Sequence, residues 1–225
     1  MQDYLPVLTR CPLFDAIEPA SVGAMLTCLS AKLCEFEKGQ VILAEGSPAR
    51  WLGIVVRGAA QLSRVDFNGN RSLLGQVGPG QIFGESFACA GVERLPVDVS
   101  AAEDGAAVLI DARRVTRTCS NSCEFHSRVI FNLLKIVATK NLMFNAKLEI
   151  TARRSTRDKL MTFLLQQARQ AGSDSFTIPF DRQELADYLE VKRSGLSAEI
   201  SRLRREGVIE SSRSRFRLLR KETGR

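Results

Sequence analysis

The chain has 225 residues, 44% hydrophobic and 25% charged, which are the proportions of a globular protein with one or two domains and a sizeable core. A disordered tail and a disulfide-stapled miniprotein are excluded. The formal charge of +7 is unevenly placed: residues 1–116 carry 10 Lys+Arg against 13 Asp+Glu, net −3, and residues 117–225 carry 22 against 12, net +10. Such asymmetry points the second half toward a polyanion. Asp3 and Arg10 interrupt the start, and no apolar run nears the roughly 20 residues of a membrane span. The expectation is a cytoplasmic protein with neither a signal peptide nor a membrane segment.

In chain order, Pro19 to Leu33 has the apolar spacing of a short amphipathic helix through Val22, Met25, Leu26 and Leu29. Eleven of the 16 glycines then fall between positions 39 and 105, separating short β-rich runs such as Val41-Ile42-Leu43 and Ile54-Val55-Val56. That punctuation predicts a compact β-roll or barrel. Asp66-Phe67-Asn68-Gly69-Asn70 is its clearest hairpin turn, because Asn-Gly tolerates positive φ.

From about Ser120 to Ala152 glycine disappears, and Ile130, Leu133, Leu134, Val137, Asn141, Phe144 and Leu148 recur at three- and four-residue steps. A helix of about 30 residues, roughly 45 Å long, follows. With apolar residues on more than one face, it requires cover from its own β domain and from a partner helix, which predicts a homodimer with Leu133 and Phe144 in the seam. Asn141 within the stripe would set register.

Ser155 and Asp158 open a further helix as a capping pair, Ala171 to Ser175 ends it, and a short strand from Phe176 to Pro179 leads to a second capping pair, Asp181 with Glu184. In residues 182–203, Leu185, Leu189, Leu196, Ile200 and Leu203 are spaced as the inward skeleton of a helix-turn-helix, with Ala186 small at the helix crossing. Arg193, Ser194, Ser197, Ala198 and Ser201 are left on the outer face of the second helix. An arginine beside short polar side chains suits entry into a major groove, where Arg bridges guanine O6 and N7. The following strand, polar turn and strand place Arg213 and Arg215 like a wing on phosphates. Arg182, Gln183 and Lys192, at the starts of the two helices, complete the candidate DNA-binding set.

Phe36-Glu37-Lys38-Gly39-Gln40, Gly78-Pro79-Gly80-Gln81-Ile82-Phe83-Gly84-Glu85, Leu109-Ile110-Asp111 and Ile178 to Ala186 together make the chain resemble the cyclic AMP receptor protein / fumarate and nitrate reduction regulator superfamily, from about Pro12 through Leu219. The resemblance implies an α+β fold: an N-terminal double-stranded β-helix (β-roll) of the cyclic-nucleotide-binding kind over residues 1–118, a dimerisation helix over 119–153 and a C-terminal winged helix-turn-helix over 154–225. It implies a non-enzymatic, effector-responsive regulator that binds double-stranded DNA as a homodimer and meets RNA polymerase if it activates. The competing reading is a cyclic-nucleotide or small-metabolite module that signals through protein contacts. Two positions depart from the family pattern: Glu190 stands where a turn glycine is expected, and Lys192 where a Ser or Thr caps the recognition helix.

The resemblance also implies an effector pocket formed by Phe83, Gly84, Glu85, Ser86, Arg94, Leu95, Pro96, Phe144 and Asn145. The phosphate-binding Arg-Ser of cyclic-nucleotide members aligns with Leu95-Pro96, and Arg94 is one residue off, which on a strand means the opposite face. The expected effector is therefore a small, partly apolar molecule with one donor for Glu85, facing an apolar wall of Leu95 and Pro96, and not cyclic AMP. The single histidine excludes a cupin-like oxygenase. Cys119, Cys123 and His126 would share one helical face, a spacing open to a metal or redox role, but small buried cysteines explain them more simply. No cofactor and no metal site is expected.

Overall fold

The structure is a computed structural model that describes residues 2–116 and 124–219. It contains two compact units, one of Met1–Asn70 and Leu74–Asn141, the other of Arg71–Leu73 and Leu142–Arg225. The long helix anticipated as a segment of its own is thus shared between them.

The first unit opens with α1 (Leu5–Leu8) and α2 (Pro19–Cys28). The second helix stops earlier than its apolar spacing suggested, because Ser30 turns left-handed at φ 51°. Eight strands follow: β1 (Lys32–Phe36), β2 (Val41–Leu43), β3 (Trp51–Arg57), β4 (Ala60–Val65), β5 (Arg71–Val77), β6 (Ile82–Phe83), β7 (Asp98–Ala101) and β8 (Gly105–Asp111), with α3 (Glu85–Cys89) between β6 and β7. They form two four-stranded sheets, β1-β8-β3-β6 and β2-β7-β4-β5, with antiparallel registers such as Lys32 opposite Leu109 and Leu62 opposite Val99. The expected hairpin joins β4 to β5: Asp66 accepts from the backbone N–H of Asn68 and Asn70, and Gly69 adopts φ 80°.

Strand β3 is buried on both faces, and its alternation divides the core. Leu52, Ile54 and Val56 join Leu13, Phe14, Val22 and Leu26 under the helices, while Val55 joins Phe36, Leu43, Phe83, Leu95 and Val99 inside the roll. Gly53 is obligatory, since a Cβ there would lie 2.0 Å from the Phe83 ring.

After α4 (Ala112–Thr116) comes α5 (Glu124–Thr151), 28 residues long. Val129 and Leu133 belong to the helix-side core of the first unit. The buried Asn132 amide donates to the carbonyls of Leu13 and Asp15 at 3.0 and 2.8 Å, tying the N-terminal turn to the helix. Leu133 is therefore not a seam residue: it is 5% exposed and packs within its own unit, whereas its neighbour Leu134 is 65% exposed. Phe125, Phe131, Leu142, Met143, Phe144 and Leu148 are also exposed on this helix.

In the second unit, Ser155 caps α6 (Thr156–Ala171) by accepting from the Asp158 N–H, and Gly172 at φ 60° ends it. Then follow β9 (Ser175–Thr177), α7 (Arg182–Leu189), α8 (Arg193–Arg205), β10 (Ile209–Ser212) and β11 (Arg215–Leu218). The strands form an antiparallel sheet in the order β10-β11-β9. Asp181 and Glu184 form a reciprocal capping box, as their spacing suggested. Leu160, Phe163, Leu164, Leu185, Leu189, Leu196, Ile200, Leu203 and Phe216 make one core, each worth about 1.5 to 3 kcal/mol of burial. Glu190 takes the left-handed conformation between α7 and α8, φ 54° and ψ 55°, that a glycine would adopt without the cost of roughly 1 kcal/mol.

Lys147 is buried here, donating to the Leu73 carbonyl with its ammonium 4.5 Å from the Tyr188 ring centre. Desolvation pushes its pKa down to about 8. Its folded value lies below its unfolded one, so the unfolded chain binds more protons at alkaline pH and stability rises as pH climbs through 8. The unfolding free energy of the wild type should gain about 1 kcal/mol between pH 7 and 9 relative to Lys147→Met. Parallel urea midpoints for the two proteins would refute this.

Candidate nucleic-acid interface and effector site

Helix α8 begins with Arg193, Ser194 and Gly195 exposed, and Leu196, Ile200 and Leu203 face inward. Lys192 occupies the N-cap in an extended conformation with no side-chain cap hydrogen bond. The outer face therefore carries Arg193, Ser194, half-buried Ser197, Ala198 and Ser201, although the Ser201 hydroxyl donates to the Ser197 carbonyl at 2.9 Å. Gln183 is exposed on α7 and donates to Asp187 at 2.7 Å. Arg213, at φ 51°, is exposed at the tip of the β10–β11 hairpin, and Arg215 is exposed on its second strand.

Arg182 differs from its expected presentation: it is half-buried, with its guanidinium 5.9 Å from the Phe216 ring centre. Burial lowers its pKa, and the nearby charges of Arg193 and Arg204 lower it further. Its Nη1 is buried without a hydrogen-bond partner, while Nη2 donates to the Arg213 carbonyl at 3.4 Å. Three guanidinium groups thus converge, and an anion placed among them would relieve their repulsion.

In the first unit, Phe83 is fully buried, and Gly84 turns left-handed at φ 78° where a Cβ would lie 2.5 Å from the Trp51 carbonyl oxygen. Glu85 follows at 2% exposure. Its Oε1 accepts from Lys140 Nζ of α5 and from the Ser86 hydroxyl, both at 2.9 Å, and its Oε2 is buried without a partner. Lys140 also donates to the Ile82 carbonyl. The acceptor assigned to a ligand is therefore already half engaged by a lysine that sequence reasoning missed.

Leu95 is buried in the roll core, while Arg94 points outward and donates to the Gly46 carbonyl at 2.8 Å, which is the opposite-face placement the register implied. The anticipated apolar wall of Leu95 and Pro96 is corrected in one member. Pro96 is exposed, because Leu95, Val97 and Val99 alternate inward along the extended chain. Phe144 and Asn145 are exposed on α5 and belong to the second unit. His126 is buried, with Nε2 3.9 Å from Cys28 Sγ; Cys119 and Cys123 lie outside the described residues. Among the described residues, no group of three His, Cys, Asp or Glu is arranged to hold a metal, and no helix is long and apolar enough to cross a membrane.

Residues 33–122 match the family model of the cyclic nucleotide-binding domain, and residues 158–223 match that of the Crp-like helix-turn-helix domain. The CRP-like cAMP-activated global transcriptional regulator of Mycobacterium tuberculosis is 32% identical over 79 residues, a match spanning 35% of this chain and 34% of that protein. The transcriptional activator protein FnrL of Cereibacter sphaeroides is 24% identical over 184 residues, covering 77% of this chain and 71% of that one. The solved structure of FixK2 from Bradyrhizobium japonicum shares the fold at a TM-score of 0.67 and 21% identity, covering 84% of this chain and 93% of that one.

Proposed function

Because the chain belongs to the Crp/Fnr superfamily of regulators, with the superfamily's two domains in the same order, we propose that it is a transcriptional regulator that reads a pseudo-palindromic operator as a homodimer. The observation that carries this reading is the outer face of α8, where Arg193 and Ser194 stand exposed at the helix start beside an arginine-bearing hairpin. Exposed Phe131, Leu134 and Leu148 on α5 supply the apolar surface for a second copy. Activation would add RNA polymerase as a partner, a DNA target fits a cytoplasmic location, and no reaction is assigned to it. Selection from a random-sequence DNA pool tests the reading. Recovery of an inverted repeat with half-sites about one helical turn apart, or a multiple of that, supports it. An unenriched pool would return the chain to the class of modules that act through protein contacts.

The effector in this reading is not a cyclic phosphodiester. A phosphate set against buried Leu95 would lose its hydration without gaining a cation, and Lys140 already neutralises Glu85. Glu85 Oε2 remains an acceptor for a single donor group on a small, partly apolar molecule. Millimolar cyclic AMP and cyclic GMP should leave the melting temperature and the DNA affinity unchanged. Micromolar binding of either would overturn this part of the proposal and bring Arg94 back as the phosphate ligand.

A further inference from the structure

The carboxylate of Glu85 is 2% exposed, and Lys140 is its one ion-pair partner among the described residues. An ammonium has three N–H donors and no acceptor. Here it donates to Glu85 Oε1 at 2.9 Å and to the Ile82 carbonyl. Ser86 donates to the same Oε1, while Oε2 is buried with no hydrogen-bond partner. A pair built for structure alone would leave no desolvated oxygen idle, because an unsatisfied buried acceptor costs stability. A carboxylate with one oxygen in reserve, beside a main-chain carbonyl, makes an acceptor set that suits a cation with several N–H groups. Helix α5 supplies that cation from the chain itself.

The Lys140 side chain is 22% exposed where the Glu85 side chain is 2% exposed, so the lysine stem leads from solvent down to the buried carboxylate. A visitor that adds a neutral donor to Oε2 and leaves the stem in place meets α5 in the same position before and after binding. A ligand with equal affinity for two arrangements shifts neither. A visitor that takes the place of the ammonium binds only once Lys140 has left, and so favours the arrangement in which α5 has let go of the Ile82 to Ser86 turn. It must carry a positive charge of its own, since a carboxylate this buried is costly to leave uncompensated. The space it inherits has the outline of a lysine side chain, a flexible apolar stem ending in a compact ammonium.

We propose that Lys140 is the built-in occupant of the effector turn, and that the effector is a small organic cation, a primary ammonium on an apolar stem, which displaces Lys140 from Glu85. The proposal rests on the reading of the chain as an effector-responsive regulator and names the ligand class for that site. The test uses the full chain, with n-butylammonium as the probe and n-butanol as its uncharged counterpart at matched ionic strength. Lys140→Ala should melt below the wild type, and millimolar butylammonium should restore most of the loss. Butanol should restore none of it, and Lys140→Ala/Glu85→Gln should gain from neither. If Lys140→Ala does not fold by itself, the yield of soluble protein refolded with butylammonium against butanol reads the same exchange. On an operator selected from a random pool, Lys140→Ala loaded with butylammonium should differ from the wild type in affinity by about fivefold or more, because an untethered cation mimics the effector-bound state. No rescue by butylammonium, or equal rescue by butanol, would overturn the proposal while the DNA-binding reading stands. Operator affinity equal to that of the wild type with the site loaded would also overturn it, leaving Lys140 a filler of the fold. If no operator is selected, the regulatory reading fails and the proposal falls with it.

Discussion

Arg193→Ala is expected to cut discrimination between operator and random DNA steeply while leaving the fold intact. The side chain is exposed at the first position of α8, so nothing in the core is lost with it. A positive charge at a helix N-terminus opposes the macrodipole, so its removal should leave the melting temperature unchanged or slightly raised. Each bidentate contact to guanine is worth about 1 to 3 kcal/mol of discrimination, and a dimer makes two, so the specificity ratio should fall by roughly 30-fold to 10⁴-fold. Arg213→Ala, at the tip of the wing, should instead weaken all sequences nearly alike. Anisotropy titrations with operator and scrambled duplexes separate the two. Operator binding as tight as the wild type's by Arg193→Ala would show that α8 does not read bases.

The second large effect separates two adjacent residues. Leu134→Asp places a charge on a 65% exposed position and should give a folded monomer, with the dimer lost by sedimentation and the far-ultraviolet spectrum retained. Leu133→Asp places the same charge in the core shared with Leu13, Phe14 and Val129 and should unfold the first unit. An uncompensated buried carboxylate costs several kcal/mol, a large part of a domain's total stability. A dimer of wild-type size from Leu134→Asp would remove that face from the subunit interface. A stable, folded Leu133→Asp protein would contradict the packing.

The local chemistry of the fold was open to sequence reading because it depends on residues a few positions apart. The Asp181 and Glu184 capping box, the turn at Asp66 to Asn70 and the inward set Leu196, Ile200 and Leu203 are of this kind. The failures share a different cause. Helical periodicity marks Leu133 and Leu134 as equally apolar, and only the core that gathers around Leu13 and Phe14 decides which one turns inward. Lys140 lies 55 residues from Glu85, so no spacing rule could pair them. The resemblance sets Pro96 beside Leu95 on an apolar pocket wall, and the alternation that starts from Leu95 turns it to the exposed side.

The pairing of Lys140 with Glu85 also constrains how this lineage can change. Losing the lysine alone strands a carboxylate that is 2% exposed, and losing the carboxylate alone strands a largely covered ammonium. Either single step is disfavoured, although exchanging both for apolar residues of similar volume can be nearly neutral. The two positions are therefore expected to be epistatic, so that a mutational path through either one alone crosses a stability valley that altering both at once avoids.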